Sequence, residues 1–142
     1  MRAIFATLSG LILAGCATAP PHPQIGVVWA TIATVTTASG AAGASSVAYA
    51  VSRSLCESTR DGAVKTSAKG AVWGDCTQRA VVPYRDGAGG SIYWTFAAGD
   101  MFAMGSSERA LCLGIRAAIE SEPSLRVVAL GDCERVIVTP LR

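Results

Sequence analysis

The sequence predicts an α+β fold of two tandem ββαβ-like units, each closed by one disulfide, behind an export leader. Three observations carry this prediction. Two stretches of the chain repeat one another around matched cysteine pairs. A tryptophan-led apolar segment precedes each of them. The first fifteen residues read as a secretory signal peptide.

The leader comes first. Met1 and Arg2 form a short basic start, and residues 3–14 carry no charge. Ile4, Phe5, Leu8, Leu11, Ile12 and Leu13 make that run hydrophobic. It is too short to stay in a bilayer as a spanning helix. It ends in Leu13-Ala14-Gly15-Cys16, which resembles the lipobox of bacterial lipoproteins. The resemblance implies that the Cys16 thiol receives a diacylglyceryl group, that residues 1–15 are cut away, and that the new amine is acylated. Each buried methylene contributes about 0.8 kcal/mol, and more than one chain makes a stable anchor. The competing reading, an ordinary signal peptide that happens to contain Cys16, predicts cleavage nearby and no lipid. Position 17 is Ala and not Asp, which by the same resemblance implies sorting to the outer membrane, with the protein facing the periplasm. Residues 16–25 form a tether containing Pro20, Pro21 and Pro23. At about 3.1 Å per residue, residues 17–24 would span roughly 25 Å.

Removing fifteen leader residues from 142 leaves 127, enough for one domain or two small units. Twelve Lys and Arg face ten Asp and Glu, and Arg2 leaves with the leader. This near balance, without a basic run, excludes a nucleic-acid footprint. Aromatic residues are only 6% of the chain, while Ala and Gly are abundant, so each core residue buries little area. Disulfides worth about 3 kcal/mol apiece therefore matter. Of five cysteines, Cys16 is assigned to the lipid. Cys56, Cys76, Cys112 and Cys133 remain for an oxidising compartment.

The first unit spans residues 26–84 and the second residues 91–142, joined by a Gly-rich linker at 85–90. Both contain Arg-x-Leu-Cys-x-x-x-Arg, starting at Arg53 and at Arg109, and both reach Gly-Asp-Cys, at Cys76 and Cys133. The cysteine separations are 20 and 21 residues. Four cysteines allow three pairings. The matched spacing predicts the local one, Cys56 to Cys76 and Cys112 to Cys133. Upstream, residues 27–35 hold Trp29 and residues 91–99 hold Trp94. Gly43-Ala44-Ser45-Ser46 and Gly105-Ser106-Ser107 read as matching approaches to a helix.

In the second unit, residues 92–96 and 101–104 favour strands around a turn at Asp100. Ser106 or Ser107 is placed to cap a helix, with Glu108 in its first turn. On a helical period Arg109, Arg116 and Glu120 share a stripe opposite Leu111, Ile115 and Ala118, with Cys112 and Ile119 at the margin. The helix should end near Pro123. Residues 125–130 and 134–138 look strand-like, broken at Gly131-Asp132. The first unit should match, with a helix over about 46–56 after a longer loop.

Trp29-Ala30-Thr31-Ile32-Ala33, Gly43-x-Ser45, the Ala-rich segment ending in Leu55-Cys56, and Gly74-Asp75-Cys76 together resemble domain-of-unknown-function family 4189. The resemblance implies a small exported domain, sometimes in tandem, found in envelope-associated and antibacterial-competition settings. The family brings no established catalytic residues. The second unit departs from it, with Thr95-Phe96-Ala97 after Trp94 and a shorter loop before the helix.

The site chemistry is mainly exclusionary. His22 is the single histidine and lies between prolines, so one chain cannot build a Ser-His-Asp or Cys-His site. One histidine and four oxidised cysteines do not make a metal site, and no cofactor motif is present. Asp75 and Asp132 occupy matching places. A carboxylate pair can hydrolyse glycosides if held at the right separation. The simpler reading is a Gly-Asp turn, since Asp bonds nearby backbone amides. Arg60 and Arg116 suit acidic partners or a solvated helix face. The uncharged run 24–52 is rich in Thr, Ser, Gly and Ala and would gain little from entering lipid. The expectation is a non-enzymatic lipoprotein with the membrane and an envelope or effector protein as partners. Asp75 and Asp132 are its candidate contact residues. Its role would be an immunity protein or inhibitor of a cell-wall hydrolase or toxin, or else a structural or accessory one.

Overall fold

The computed structural model describes residues 21–40, 43–67, 70–125 and 128–142. The leader, Cys16 and the lipobox lie outside the described residues. The elements are β1 (Gly26–Val35), β2 (Ser46–Ala50), α1 (Arg53–Thr66), β3 (Ala71–Trp73), β4 (Thr77–Pro83), β5 (Ser91–Ala98), β6 (Phe102–Ser106), α2 (Arg109–Glu120) and β7 (Glu134–Pro140), with a 3-10 turn at Pro123–Leu125. The fold is α+β: two helices lie on a sheet that closes into a barrel. The order is β2-β6-β5-β7-β4-β1, and β1 pairs back onto β2. All these pairings are antiparallel. Closure pairs each of the six strands on both sides, which leaves none of them as an open edge. The short β3 extends the β4 side of β1, along its last residues.

The barrel explains the composition. Barrel width grows with strand number, and about eight strands are needed before side chains fill the interior comfortably. Six strands enclose less, so small residues must alternate with larger ones. Val28, Ala30, Val47, Tyr49, Val81, Tyr93, Ala103, Val136 and Val138 form this core. They recur at every second position, as strands dictate. Gly105 takes its place where a side chain would collide with the Trp94 carbonyl. Buried Tyr49 hydrogen-bonds its hydroxyl to the Thr95 hydroxyl at 3.1 Å. Burial pushes that phenol well above the ordinary tyrosine range.

Both disulfides are local, Cys56–Cys76 and Cys112–Cys133. The first sits between α1 and the barrel wall with Ala50, Trp29, Leu55 and Phe102. The register within each half of the chain is matched. Trp29 faces Ala50 on one side and Gln78 on the other, and Trp94 faces Ser106 and Arg135. Between the halves, β2 and β6 pair about Ala48↔Met104, and β4 and β7 about Val81↔Val138.

Several expectations are corrected. Residues 46–56 are not one helix. Ser46–Ala50 is a strand, because pairing with both β1 and β6 completes the barrel and outweighs the helix preference of its alanines. The helix starts at Arg53, where the Ser52 hydroxyl accepts from the Leu55 N–H at 3.3 Å. It runs on through Asp61 and Gly62 to Thr66, so Cys56 is in its first turn and not at its end. On α2, Cys112 is fully buried and Leu111 is 45% exposed, because the disulfide fixes which face turns inward. The cap of α2 is Glu108, with no side-chain bond. The two Gly-Ser segments are not equivalent places in the chain. They meet across β2 and β6, with Ser46 opposite Ser106 and the Ser107 N–H on the Ser45 carbonyl at 2.8 Å. Within 125–130 only a 3-10 turn and one bridge, Leu130 to Ala98, are formed among the described residues.

Residues 21–25 lie against the barrel and do not act as spacer. Pro23 is buried, His22 Nδ1 sits 3.1 Å from Glu134, and Gln24 donates to the Asp100 carbonyl at 2.8 Å. No helix among the described residues is long and apolar enough to cross a membrane.

Candidate functional site

The structure separates the two Gly-Asp-Cys turns. Gly74 is stitched to β1: its N–H donates to the Ile32 carbonyl at 3.0 Å, and its carbonyl accepts from Thr31 Oγ1 at 2.7 Å. Asp75 projects from this turn, almost fully exposed, with Arg60 Nη1 at 3.5 Å. Gly131 is stitched to β5, its N–H donating to the Ala97 carbonyl at 2.9 Å. Its own carbonyl accepts from Arg116 Nε at 2.7 Å. Ile32 is level with Val47 and Gly105, and Ala97 with Ala103 and Tyr49. These rows flank the Ala48–Met104 pair, so the two aspartates sit on opposite sides of it, each beside its own helix. The geometry does not bring them together as a carboxylate pair.

The surroundings of the two turns differ. Asp132 lines an open cleft of about 260 Å³ with Arg109, Leu113, Arg116 and Cys133. Arg116 is held there by Gly131 and by Glu120 at 3.2 Å, which leaves Arg109 and Asp132 as the exposed charges of the cleft. Beside it stands a stack that sequence reasoning missed. The Arg109 guanidinium lies 5.4 Å from the Trp94 ring centre, and Arg135 lies 5.4 Å from the same ring. Arg135 also lies 3.9 Å from the Tyr84 ring. A hydrogen bond of 2.7 Å from Tyr84 to Asp86 holds that phenol above its ordinary pKa. A second cleft of about 230 Å³ adjoins, lined by His22, Pro23, Ile25, Pro83, Glu134, Arg135 and Val136.

On the α1 side, among the described residues, the first member of this stack alone recurs, Arg53 at 5.5 Å from Trp29. The strand neighbour of Trp29 is Gln78, where Trp94 has Arg135. The Trp-led segments and the Arg-x-Leu-Cys motifs mark Trp29, Arg53, Trp94 and Arg109 one by one, but nothing in the sequence pairs them. The contribution of Arg135 and Tyr84 depends on the β5–β7 register and had no signal in the linear sequence.

Exposed cation-π contacts contribute about 0.5–1 kcal/mol each. Guanidinium groups can pair with carboxylates and stack on aromatic rings. Among the described residues no group of three or more His, Cys, Asp or Glu is placed to hold a metal ion. No family model matches the chain, and neither the curated proteins nor the solved structures give a match.

Proposed function

We propose that this chain is an outer-membrane lipoprotein, anchored through lipid on Cys16 after removal of residues 1–15, whose barrel is a non-enzymatic protein-binding module facing the periplasm. The observation that carries the binding role is the Arg109–Trp94–Arg135–Tyr84 stack beside the Asp132 cleft. Trp, Tyr and Arg are the side chains that most often dominate protein interfaces. Here they are pre-stacked, so little side-chain freedom is lost on binding. An immunity protein or inhibitor of a cell-wall hydrolase or toxin is the role this surface suits. The chain is also proposed to be two copies of one ββαβ unit. The matched cysteine spacings and the exchange of partners about Ala48↔Met104 and Val81↔Val138 support that reading. On it, the second copy has gained Arg135 where the first keeps Gln78, which is how one of two equal faces becomes a binding site.

The test is affinity capture from detergent-solubilised envelope with wild type, Arg135→Glu and Asp75→Asn. The reading predicts a partner held by wild type and Asp75→Asn and lost with Arg135→Glu. Capture that is indifferent to Arg135 would move the site elsewhere, and the structural or accessory role would then take precedence.

A further inference from the structure

One rim of the barrel collects the start of β1, the end of β2 and the β5–β6 turn. Residues 21–25 lie across this rim, and a side chain at Gly131 would collide with the Pro21 carbonyl, so Pro21 is closely seated. Four large apolar side chains are exposed around the rim: Ile25 at 53%, Val27 at 60%, Val51 at 63% and Met101 at 41%. Their proximity follows from register. Ala50 pairs with Phe102, so Val51, just after Ala50, and Met101, just before Phe102, leave the sheet at the same end. Trp29 pairs with Ala50, so Val27, two residues before Trp29, belongs to the same end of the barrel. Ile25 follows Gln24, which is bonded to Asp100 in the same turn.

We infer that this rim is the membrane-facing end of the protein, resting on the lipid surface that holds Cys16. The inference rests on the lipid-anchor reading above. The chain has five peptide steps between Cys16 and Pro21. At full extension these reach about 18 Å. A compact domain of this size is roughly 35 Å across by the usual size scaling. The leash is therefore shorter than the barrel. With Pro21 seated at this rim, the opposite rim, where β3 carries the exposed Val72, cannot reach the bilayer. Four of the ten large apolar side chains exposed among the described residues stand where the leash holds the protein to lipid, which is where their burial in the headgroup region lowers the free energy.

The test uses the full lipidated chain in vesicles of phosphatidylethanolamine and phosphatidylglycerol containing a headgroup-nitroxide lipid. A single fluorophore is placed through Met101→Cys or Val72→Cys, both exposed positions. A rim within about 18 Å of the anchor lies near the quencher, and the far end lies about a barrel length away. The Met101 position should lose well over half its emission and the Val72 position almost none. Inserting a long Gly-Ser stretch after Ala17 should shrink that contrast. Flotation with the vesicles but equal quenching at both positions would overturn the orientation alone. Failure to float would overturn the anchor reading and this inference with it.

Discussion

Removing the two disulfides should not cost the same. The loops they close are 20 and 21 residues, so the loss of loop restraint is about 3 kcal/mol for each. The difference lies in what surrounds the sulfurs. Cys56 and Cys76 are 0% and 5% exposed, packed with Ala50, Trp29, Leu55 and Phe102. Replacing both by Ala leaves a gap among apolar groups, adding about 1 kcal/mol per lost sulfur. Around the second disulfide, Leu111 is 45% exposed and Cys133 lines the open cleft. Only Cys112 leaves a buried gap there. The Cys56→Ala/Cys76→Ala protein should therefore lose about 5 kcal/mol, and Cys112→Ala/Cys133→Ala about 4 kcal/mol. The difference of about 1 kcal/mol corresponds to roughly 3–5 °C in Tm. Urea unfolding of the chain from Ala17 onward, with the remaining disulfide oxidised, measures it. An equal or larger loss from the second pair would mean that local packing does not set the difference.

Gly105→Ala should destabilise by about 3 kcal/mol or more, since its methyl meets the Trp94 carbonyl and the Thr95 backbone; a thermal midpoint equal to wild type would contradict the close strand approach. Gly62→Ala and Gly114→Ala should each stabilise by up to about 1 kcal/mol, because both lie in helices with open space around the added methyl; a loss in urea titrations would contradict that. Tyr49 keeps its proton in the fold after an unfolded tyrosine has lost it, so stability should be full below about pH 10 and fall as pH rises beyond that. Cζ-labelled tyrosine NMR, assigned with Tyr49→Phe, checks this; ionisation of Tyr49 near pH 10 in the folded protein would contradict it.

Much of the fold was legible because cysteine spacing and strand alternation are local signals. The pairing of Cys56 with Cys76 and of Cys112 with Cys133 could be read from the two matched spacings. The β5 and β6 strands, and the end of α2 near Pro123, could be read from residue type. The misreadings concern long-range pairing. Val47-Ala48-Tyr49-Ala50 carries a helix-compatible composition, and only its two neighbours, β1 and β6, make it a strand. The helix expected over about 46–56 runs instead to Thr66, through Asp61-Gly62 on the solvent side of α1. Barrel closure also needs the β2–β6 and β4–β7 pairings between distant strands, which left no trace in periodicity. The candidate site was half visible. Asp132, Arg109 and Arg116 were singled out by motif, whereas Arg135 and Tyr84 join them only through the β5–β7 and β4–β7 pairings.

Lipid labelling of Cys16 bears on the anchor without any intermediate step. Cells expressing wild type or Cys16→Ser are fed radiolabelled palmitate, and the protein is isolated from the envelope. Label should enter the wild-type chain and not Cys16→Ser, which should persist as an unprocessed or soluble exported form. A wild-type chain without label, or label that survives the substitution, would contradict the anchor reading.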